Sequence, residues 1–459
     1  MNKTAINFSE VQKKMEMEGL PKVAIQTFAH YYNLLVTGET GMISEQSIKP
    51  VVELPDADAL ADKYEDVGLK HLNQAVVIKL NGGLGTSMGL SKAKSLLQVK
   101  NGLSFLDIIG MQAQAQKMPV VLMNSFSTQT DSLEAMRNYP GLNGDLDSDF
   151  LQHKVPKIRL SDMAPVEYKD NPELEWCPPG HGDIYTALIT SGMLNQLLDG
   201  GFKYAFVSNS DNLGAVVDHR ILGYFVHQKL PFMMEVADRT AADRKGGHLA
   251  VRAEDGQLIL RESAQCAEED VDAFQDINVH KYFNTNNLWV NLVALKKAME
   301  ARNYVLGLPM IRNSKTVNPR DKNSEKVYQL ETAMGSAIAV FGGAGAIRVP
   351  RTRFAPVKTT GDLLAVRSDC YVLTDDHRIV PNPARELDQI VVKLDPDQYK
   401  LIDQMEAAFP QGAPSLIKAN TFTVNGKFVF GRNVKIEGYV SLENSGSVPK
   451  MVEDDTVLV

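Results

Sequence analysis

The residues with the most chemistry in them stand together at 80–95, in LNGGLGTSMGLSKAKS. Gly82, Gly83, Gly85 and Gly89 free the backbone to adopt positive φ and approach a ligand closely, while Lys92 and Lys94 bring positive charge. Amides turned into such a loop cradle phosphate groups. Spacing excludes two common phosphate loops. G-x-x-x-x-G-K-[ST] is absent, and Gly83, Gly85 and Gly89 form G-x-G-x-x-x-G rather than the G-x-G-x-x-G of dinucleotide-binding folds. A second glycine-flanked segment, PPGHGD at 178–183, precedes an expected helix reaching about Leu198. The amides of Gly180, His181 and Gly182 at its start form a second expected anion site. Asp211, in SNSDN, follows an expected strand and reads equally as a turn residue or a metal carboxylate.

The elements that must position these residues are legible as short apolar runs. AVVIK (75–79), PVVLM (119–123) and YAFVS (204–208) read as strands buried on both faces. Ser104 and Asp107 open a helical stretch to about Lys117 between the first two. That βαβ unit implies a mainly parallel sheet through its right-handed crossover. In an open α/β sheet, ligands bind outside the carboxyl ends of the strands, which is where the glycine-rich loop falls. Segments 232–237, 248–252, 258–261 and 288–294 add strands, part of them mixed or antiparallel. Ahead of the sheet, Ser9 and Gln12 form a capping-box pattern, and Ile25, Phe28, Tyr32 and Leu35 recur at helical spacing. The expected domains are a helical region at 1–72, a catalytic domain at 73–384 and a C-terminal domain at 385–459. In the last, an amphipathic piece at 397–408 precedes TFTVNGKFVFGRNVKIEGYVSLEN (421–444). Asn425-Gly426 is a hairpin signal. Val434, Ile436 and Val440, with glycines between them, suggest short coils of a left-handed β-helix.

Composition narrows the functional classes. The chain has 459 residues, 44% hydrophobic and 23% charged, and a net charge of −8. A nucleic-acid binder needs a basic surface to displace counterions, and this chain lacks one overall. Any phosphate site must be local. No apolar run approaches the roughly 20 residues of a membrane span, and MNKTAINFSE carries no apolar stretch of a secretory signal. Cys177, Cys266 and Cys370 are odd in number and lack metal-ligand spacing, as free thiols of a reducing compartment do. The expectation is a soluble cytoplasmic protein without membrane or nucleic-acid partners.

Further segments follow in order along nearly the whole chain: FLQHKVPKI (150–158), WCPPGHGDIYTAL (176–188), FVSNSDNLGAVVD (206–218), KGG (245–247), RESAQ (261–265), FNTNNLWVNL (283–292), QLETAMGSAI (329–338) and VPRTRFAPVKTTGDLL (349–364). With the glycine-rich loop, they closely resemble the motifs of eukaryotic-type UDP-glucose pyrophosphorylases. The resemblance implies an α/β fold of the nucleotide-diphospho-sugar transferase type, a Rossmann-like mixed sheet with a small C-terminal left-handed β-helix. It implies UTP and glucose 1-phosphate as substrates and Mg²⁺ as cofactor. Lys94 resembles the loop lysine on the UTP phosphates, Lys358 a second catalytic lysine, and Asp211 the magnesium ligand. Leu80, Asn81, Gly82, Gly83, Gln152, Gly180 and His181 match nucleotide-binding positions, and Asn209, Gly247, Glu262, Asn284 and Asn286 match sugar-binding positions. Arg351 and Arg353 read either as tuning Lys358 or as surface residues. The loop departs from the family in carrying Lys92-Ala93 before Lys94 where a glycine-proline is usual, and Lys92 and Lys94 remain interchangeable by sequence. The resemblance leaves open a UDP-N-acetylhexosamine or broad UDP-sugar pyrophosphorylase, a catalytically silent homologue, and a homo-oligomer through the C-terminal domain.

Overall fold

The computed structural model describes residues 3–240, 243–387 and 389–459. Its centre is a ten-stranded mixed sheet of β1 (Ile48–Pro50), β2 (Ala75–Asn81), β3 (Val120–Asn124), β4 (Asp149–Leu151), β5 (Tyr204–Asn209), β6 (Phe232–Asp238), β7 (His248–Arg252), β8 (Leu258–Arg261), β9 (Tyr282–Asn291) and β10 (Gly345–Arg348). The main path runs β1-β7-β9-β5-β2-β3-β4, with β6 pairing β9 and β10, and β8 pairing β7. Strands β5, β2, β3 and β4 are parallel neighbours, so their carboxyl ends open on one side. Strand β2 is buried along nearly its whole length, as its continuous apolar run requires when helices cover both faces. The helix Phe105–Gln116 crosses from β2 to β3. Ser104 and Asp107 close its start with a full capping box, and Lys117 ends it in the left-handed region.

Four expectations are corrected. Ser9 lies inside the helix Lys3–Met17 rather than at its cap. The expected helix to about Leu198 is two helices, Ile184–Thr190 and Met193–Asp199. Thr190 Oγ1 and Ser191 Oγ bond back to the carbonyls of Thr186 and Ala187 at 3.1 and 2.7 Å, and Gly192 turns the chain at φ +80°. The expected strand 288–294 begins earlier and ends at Asn291, whose side chain caps the helix Leu292–Ala301. Asn425-Gly426 makes no hairpin. The strand Ser415–Gly426 instead pairs in parallel with Val391–Leu394 and Lys435–Asn444, and Phe428–Phe430 with Lys450–Val452. A glycine at φ +81° therefore turns a corner between parallel coils rather than reversing the chain. The N-terminal region also supplies a strand, β1, to the central sheet.

The helix Lys22–Val36 buries Ile25, Phe28, Tyr32 and Leu35 against Val155, Ile158, Cys177, Met310 and Leu330. No helix of the described residues is long and apolar enough to cross a membrane. Two helices on the sheet, Lys63–His71 and His219–His227, meet at Gly68 and Gly223. A Cβ at Gly68 would lie 1.8 Å from the His219 carbonyl oxygen, and one at Gly223 would lie 1.7 Å from that of Tyr64. Alanine in a helix gains about 1 kcal/mol over glycine, while overpacking costs about 1–3 kcal/mol; against rigid backbone the clash wins. Gly223→Ala is expected to lower the urea midpoint of unfolding. An unchanged or raised midpoint would refute the close crossing.

Candidate active site

The site is built where β2, β3 and β5 end. Leu80 stands opposite Asn209 and Asn81 opposite Asn124 in the sheet register. The Asn81 side chain turns inward, donating to Asn124 Oδ1 and Ser132 Oγ at 2.7 Å, so the strand end is pinned before the loop begins. The loop then folds on itself: Gly85 and Gly89 adopt φ +66° and +78°, and the Lys94 amide donates to the Gly83 carbonyl at 3.1 Å. That return brings the Lys94 ammonium to 2.5 Å from Asp211 Oδ2, with the two side chains only 17% and 22% exposed. Lys92 is exposed. Geometry therefore separates the two lysines, and Lys94 is the one facing the strand ends.

Beside the loop, a Cβ at Gly82 would lie 2.7 Å from Gln152 Oε1, so the absence of a side chain lets the Gln152 amide lie against the backbone. Gln152 is anchored by its own amide, which donates to the Asn124 carbonyl at 2.8 Å. The next residue ties this segment to PPGHGD. Asp183 accepts the His153 backbone amide at 2.7 Å and faces its Nδ1 at 2.9 Å. In the same turn Gly180 stands at φ +79°, where a Cβ would meet the Thr332 carbonyl oxygen at 2.4 Å. The Met334 amide donates to His181 Nδ1 at 2.9 Å. That bond places the proton of the neutral ring on Nε2, and burial holds the pKa down at about 4. His181 is thus a neutral hydrogen-bond donor.

Asp211 and Lys358 come from distant parts of the chain but are joined by backbone. The Val357 amide donates to the Asp211 carbonyl at 3.3 Å, and Asn212 bridges to Pro356. Lys358 lies just ahead of Thr359, the N-cap of the helix Thr360–Arg367. Asp362 closes the start of that helix by accepting from the Lys358 and Thr359 amides at 2.9 and 2.7 Å. Of the two arginines on this segment, Arg353 is buried on Glu235 at 2.7 Å and Arg351 pairs with Asp243 at 2.7 Å; neither is a simple surface residue. Among the described residues no three His, Cys, Asp or Glu side chains gather as a metal cage. Asp211 is a half-buried hard-oxygen donor beside the glycine-rich loop, which fits magnesium, an ion that takes one or two carboxylates and completes its shell with phosphate oxygens and water.

The sugar-side residues cluster around a β-bulge. Pairing of β6 with β9 shifts between Glu235↔Asn287 and Val236↔Asn284, leaving Thr285 and Asn286 as extra residues. Asn286 takes φ +58°, a conformation asparagine tolerates. Asn284 and Asn286 then hydrogen-bond reciprocally at 2.9 Å. The Asn284 amide donates to the Gly247 carbonyl at 3.1 Å, and a Cβ at Gly247 would lie 2.5 Å from Glu262 Oε2. Burial raises the Glu262 pKa, opposed by a hydrogen bond from Asn284 and by the charge of Lys358. Gly247, Glu262, Asn284 and Asn286 thus form one polar patch, suited to pairing with hydroxyl groups, and Asn209 ends β5 at the carboxyl edge of the sheet.

Sequence reasoning missed the buried support: Lys79, Asp183, Asn212, Glu235 and Asn287. Lys79 is the one with a signal, since a lysine inside a strand buried on both faces is anomalous. Its ammonium donates to Ser208 Oγ and the Ala215 carbonyl at 2.8 and 2.9 Å, and burial, then the Arg353 charge, push its pKa down to about 7.

Comparison with known proteins identifies the family. The family model for UTP–glucose-1-phosphate uridylyltransferase matches residues 25–437. The enzyme of that name from Solanum tuberosum is 39% identical over 460 residues, covering 97% of this chain and 94% of its own. The one from Saccharomyces cerevisiae is 38% identical over 408 residues, covering 85% and 78%. Among solved structures, a UDP-glucose phosphorylase from Trypanosoma brucei superposes with a TM-score of 0.89 at 47% identity, covering 98% of each chain. A point variant of the Leishmania major UDP-glucose pyrophosphorylase, solved in complex with UDP-glucose, gives 0.91 at 43% identity, covering 99% of this chain and 98% of its own. With the family model matched over residues 25–437 and the similarity running over the full length, the chain belongs to the UTP–glucose-1-phosphate uridylyltransferase family.

Proposed function

We propose that the protein transfers the uridylyl group of UTP to glucose 1-phosphate, giving UDP-glucose and pyrophosphate. The observation that carries this reading is the convergence of Lys94 and the Lys358 segment on Asp211 at the strand ends. A phosphate oxygen of the sugar phosphate attacks the α-phosphorus in line; a new P–O bond forms as the bond to the β-phosphate breaks. The attacking group is already largely a dianion at neutral pH, its second pKa being about 6, so no activated side chain or general base is required. The protein has to align two anions and offset their repulsion. Lys94 and Lys358 supply that charge, and His181 donates through Nε2. Gln152, with both donor and acceptor, reads the uracil edge against the backbone of Gly82. The patch around Glu262, Asn284 and Asn286 holds the glucose hydroxyls. Asp211 would hold magnesium, which when bound adds positive charge at the phosphate oxygens. We read the parallel C-terminal coils as a short left-handed β-helix and as the surface through which copies of the chain would assemble. The three free cysteines fit a cytoplasmic setting.

Pyrophosphate release with UTP, Mg²⁺ and glucose 1-phosphate tests the reaction, with ATP, dTTP and N-acetylglucosamine 1-phosphate as competitors. Fast release is expected only with UTP plus glucose 1-phosphate; a strong preference for the acetylated sugar would overturn the sugar assignment. Lys94→Ala and Lys358→Ala should each lower kcat by roughly 10²–10³-fold while the urea midpoint stays close to wild type. Near-normal rates in both would refute their roles.

A pH series tests His181. The unfolded ring takes a proton near pH 6.5 and the folded ring near pH 4. The unfolded state therefore binds more protons as pH falls below 6.5, and stability is lost progressively down to about pH 4. The UTP contact itself does not titrate in that window. KM for UTP should be flat from pH 5.5 to 8 in this respect, and His181→Ala should raise it about 10-fold at every pH, the worth of about one hydrogen bond. A wild-type inflection near pH 6.5 that the variant abolishes would overturn the neutral-donor assignment.

A further inference from the structure

Asp211 sits on a loop that the rest of the molecule holds at both ends and in the middle. At the base, Lys79 donates to Ser208 Oγ and to the Ala215 carbonyl, clamping the residues that bracket the loop. In the middle stands Asn212, buried, with every polar atom of its amide in use. Its Oδ1 accepts from the amides of Gly214 at 3.2 Å and Ala355 at 2.9 Å. Its Nδ2 donates to Asn287 Oδ1 and to the Arg353 carbonyl, both at 3.1 Å. Asn287 in turn donates to Glu235 Oε2 at 3.0 Å, and Glu235 receives Arg353 Nε and Nη2 at 2.8 and 2.7 Å. The two backbones touch: a Cβ at Gly214 would lie 2.3 Å from the Thr352 carbonyl oxygen and 2.6 Å from the Arg353 carbonyl carbon.

We infer that Asn212 is a positioning residue that fixes the separation of Asp211 from Lys358. The inference rests on the roles proposed above for those two residues and adds what sets their distance. One amide fastens the residue after Asp211 to the backbone three residues before Lys358. Two of its four hydrogen bonds, from the Ala355 amide and to the Arg353 carbonyl, cross to the Lys358 segment, and the other two hold Asn212 to its own loop and to Asn287. Sheet pairing does little of this, because among the described residues the segment 351–357 pairs with the Asp211 loop at one isolated bridge, Asn212 with Pro356. Alignment of two phosphates is steeply sensitive to such placement, and a displacement of about 1 Å can cost on the order of 10²-fold in rate.

The test compares Asn212→Ala with Asp211→Asn and with Gly223→Ala, whose helix crossing is not part of the site. For each, kcat, KM for both substrates, the half-saturating Mg²⁺ concentration and the urea midpoint are measured. Calorimetry gives the affinity for UTP with and without Mg²⁺. Asn212→Ala is expected to lose about 10²-fold in kcat, to need more Mg²⁺, and to lose the strengthening of UTP binding by Mg²⁺, with KM for glucose 1-phosphate little changed. Gly223→Ala is expected to lose stability and keep all the other values. Asn212→Asp keeps two accepting contacts but sets a carboxylate against two acceptor oxygens, and it should not rescue. If Asn212→Ala does not fold, Asn212→Ser is judged by the same criteria. Wild-type kcat and Mg²⁺ dependence in the position-212 variant beside a defective Asp211→Asn would overturn the inference and leave the proposed function standing. Wild-type behaviour in both would overturn the inference together with the role proposed for Asp211. A loss of kcat in Gly223→Ala equal to that of Asn212→Ala would reduce Asn212 to a purely structural role and so overturn the inference as well.

Discussion

The ion pair of Glu235 with Arg353 is the joint on which the arrangement of the site depends. Glu235 has no exposed surface and accepts hydrogen bonds from Arg353 Nε and Nη2, Asn287 Nδ2 and Trp289 Nε1. Burial draws the Arg353 guanidinium down, and Glu235 outweighs that effect and leaves its pKa raised. Taking two such charges out of water costs several kcal/mol each, and removing one partner from a buried pair typically destabilises by about 3–5 kcal/mol. A chain carries such a pair where apolar packing would not fix direction. Here β6 meets the bulge of β9, and the segment after β10 must cross the strand ends without joining the sheet. A bidentate guanidinium imposes an orientation that a methyl group cannot.

A second dependence runs through apolar contacts. Met88 of the glycine-rich loop, Leu213 beside Asp211 and Val357 beside Lys358 belong to the same buried cluster as Ile402, Met405, Phe422 and Phe430 of the C-terminal segment. At Gly89, a Cβ would lie 3.1 Å from Leu401 Cδ2. The loop that places Lys94 and the segment that places Lys358 thus share a buried core with the C-terminal segment. The polar joints act where the two loops meet and the shared core supports them from outside, so the position of either lysine also depends on the packing of the C-terminal segment.

The strands were legible because burial on two faces leaves continuous apolar runs, and the phosphate loop because its glycines break such a run abruptly. The features that escaped depend on partners outside the local window. Ser9 matches a cap by spacing, yet a cap needs a free helix end, and the helix had begun at Lys3. Asn425-Gly426 has the composition of a hairpin turn, but whether a corner reverses the chain or continues a coil is decided by the strand it meets, here Lys435–Asn444 in parallel. Thr190 and Ser191 ended a helix through bonds to their own backbone that periodicity does not register. At the site, types of residue were readable and assignments were not. Lys92 and Lys94 are equivalent in sequence, and only the bond from the Lys94 amide to Gly83 decides which ammonium meets Asp211. Arg351 and Arg353 read equally as surface or support until their carboxylate partners, over a hundred positions away, come into place.

The placement of Lys358 links the two halves of the proposed reaction. Its charge opposes the burial that raises the Glu262 pKa, while its segment is bonded to the backbone of Asp211. A carboxylate in a sugar pocket is useful as a hydrogen-bond acceptor only while ionised, and burial alone works against that. A neighbouring ammonium favours the ionised form. In the proposed reaction the same ammonium, on a segment bonded to the Asp211 backbone, would oppose the repulsion between two phosphate groups. In a protein with a net charge of −8, positive charge at the strand ends has to be concentrated in a few residues. In the proposed reaction a lysine shared between the sugar pocket and the phosphates would meet both needs with one charge, and the buried bonds of the segment before it hold that lysine in place.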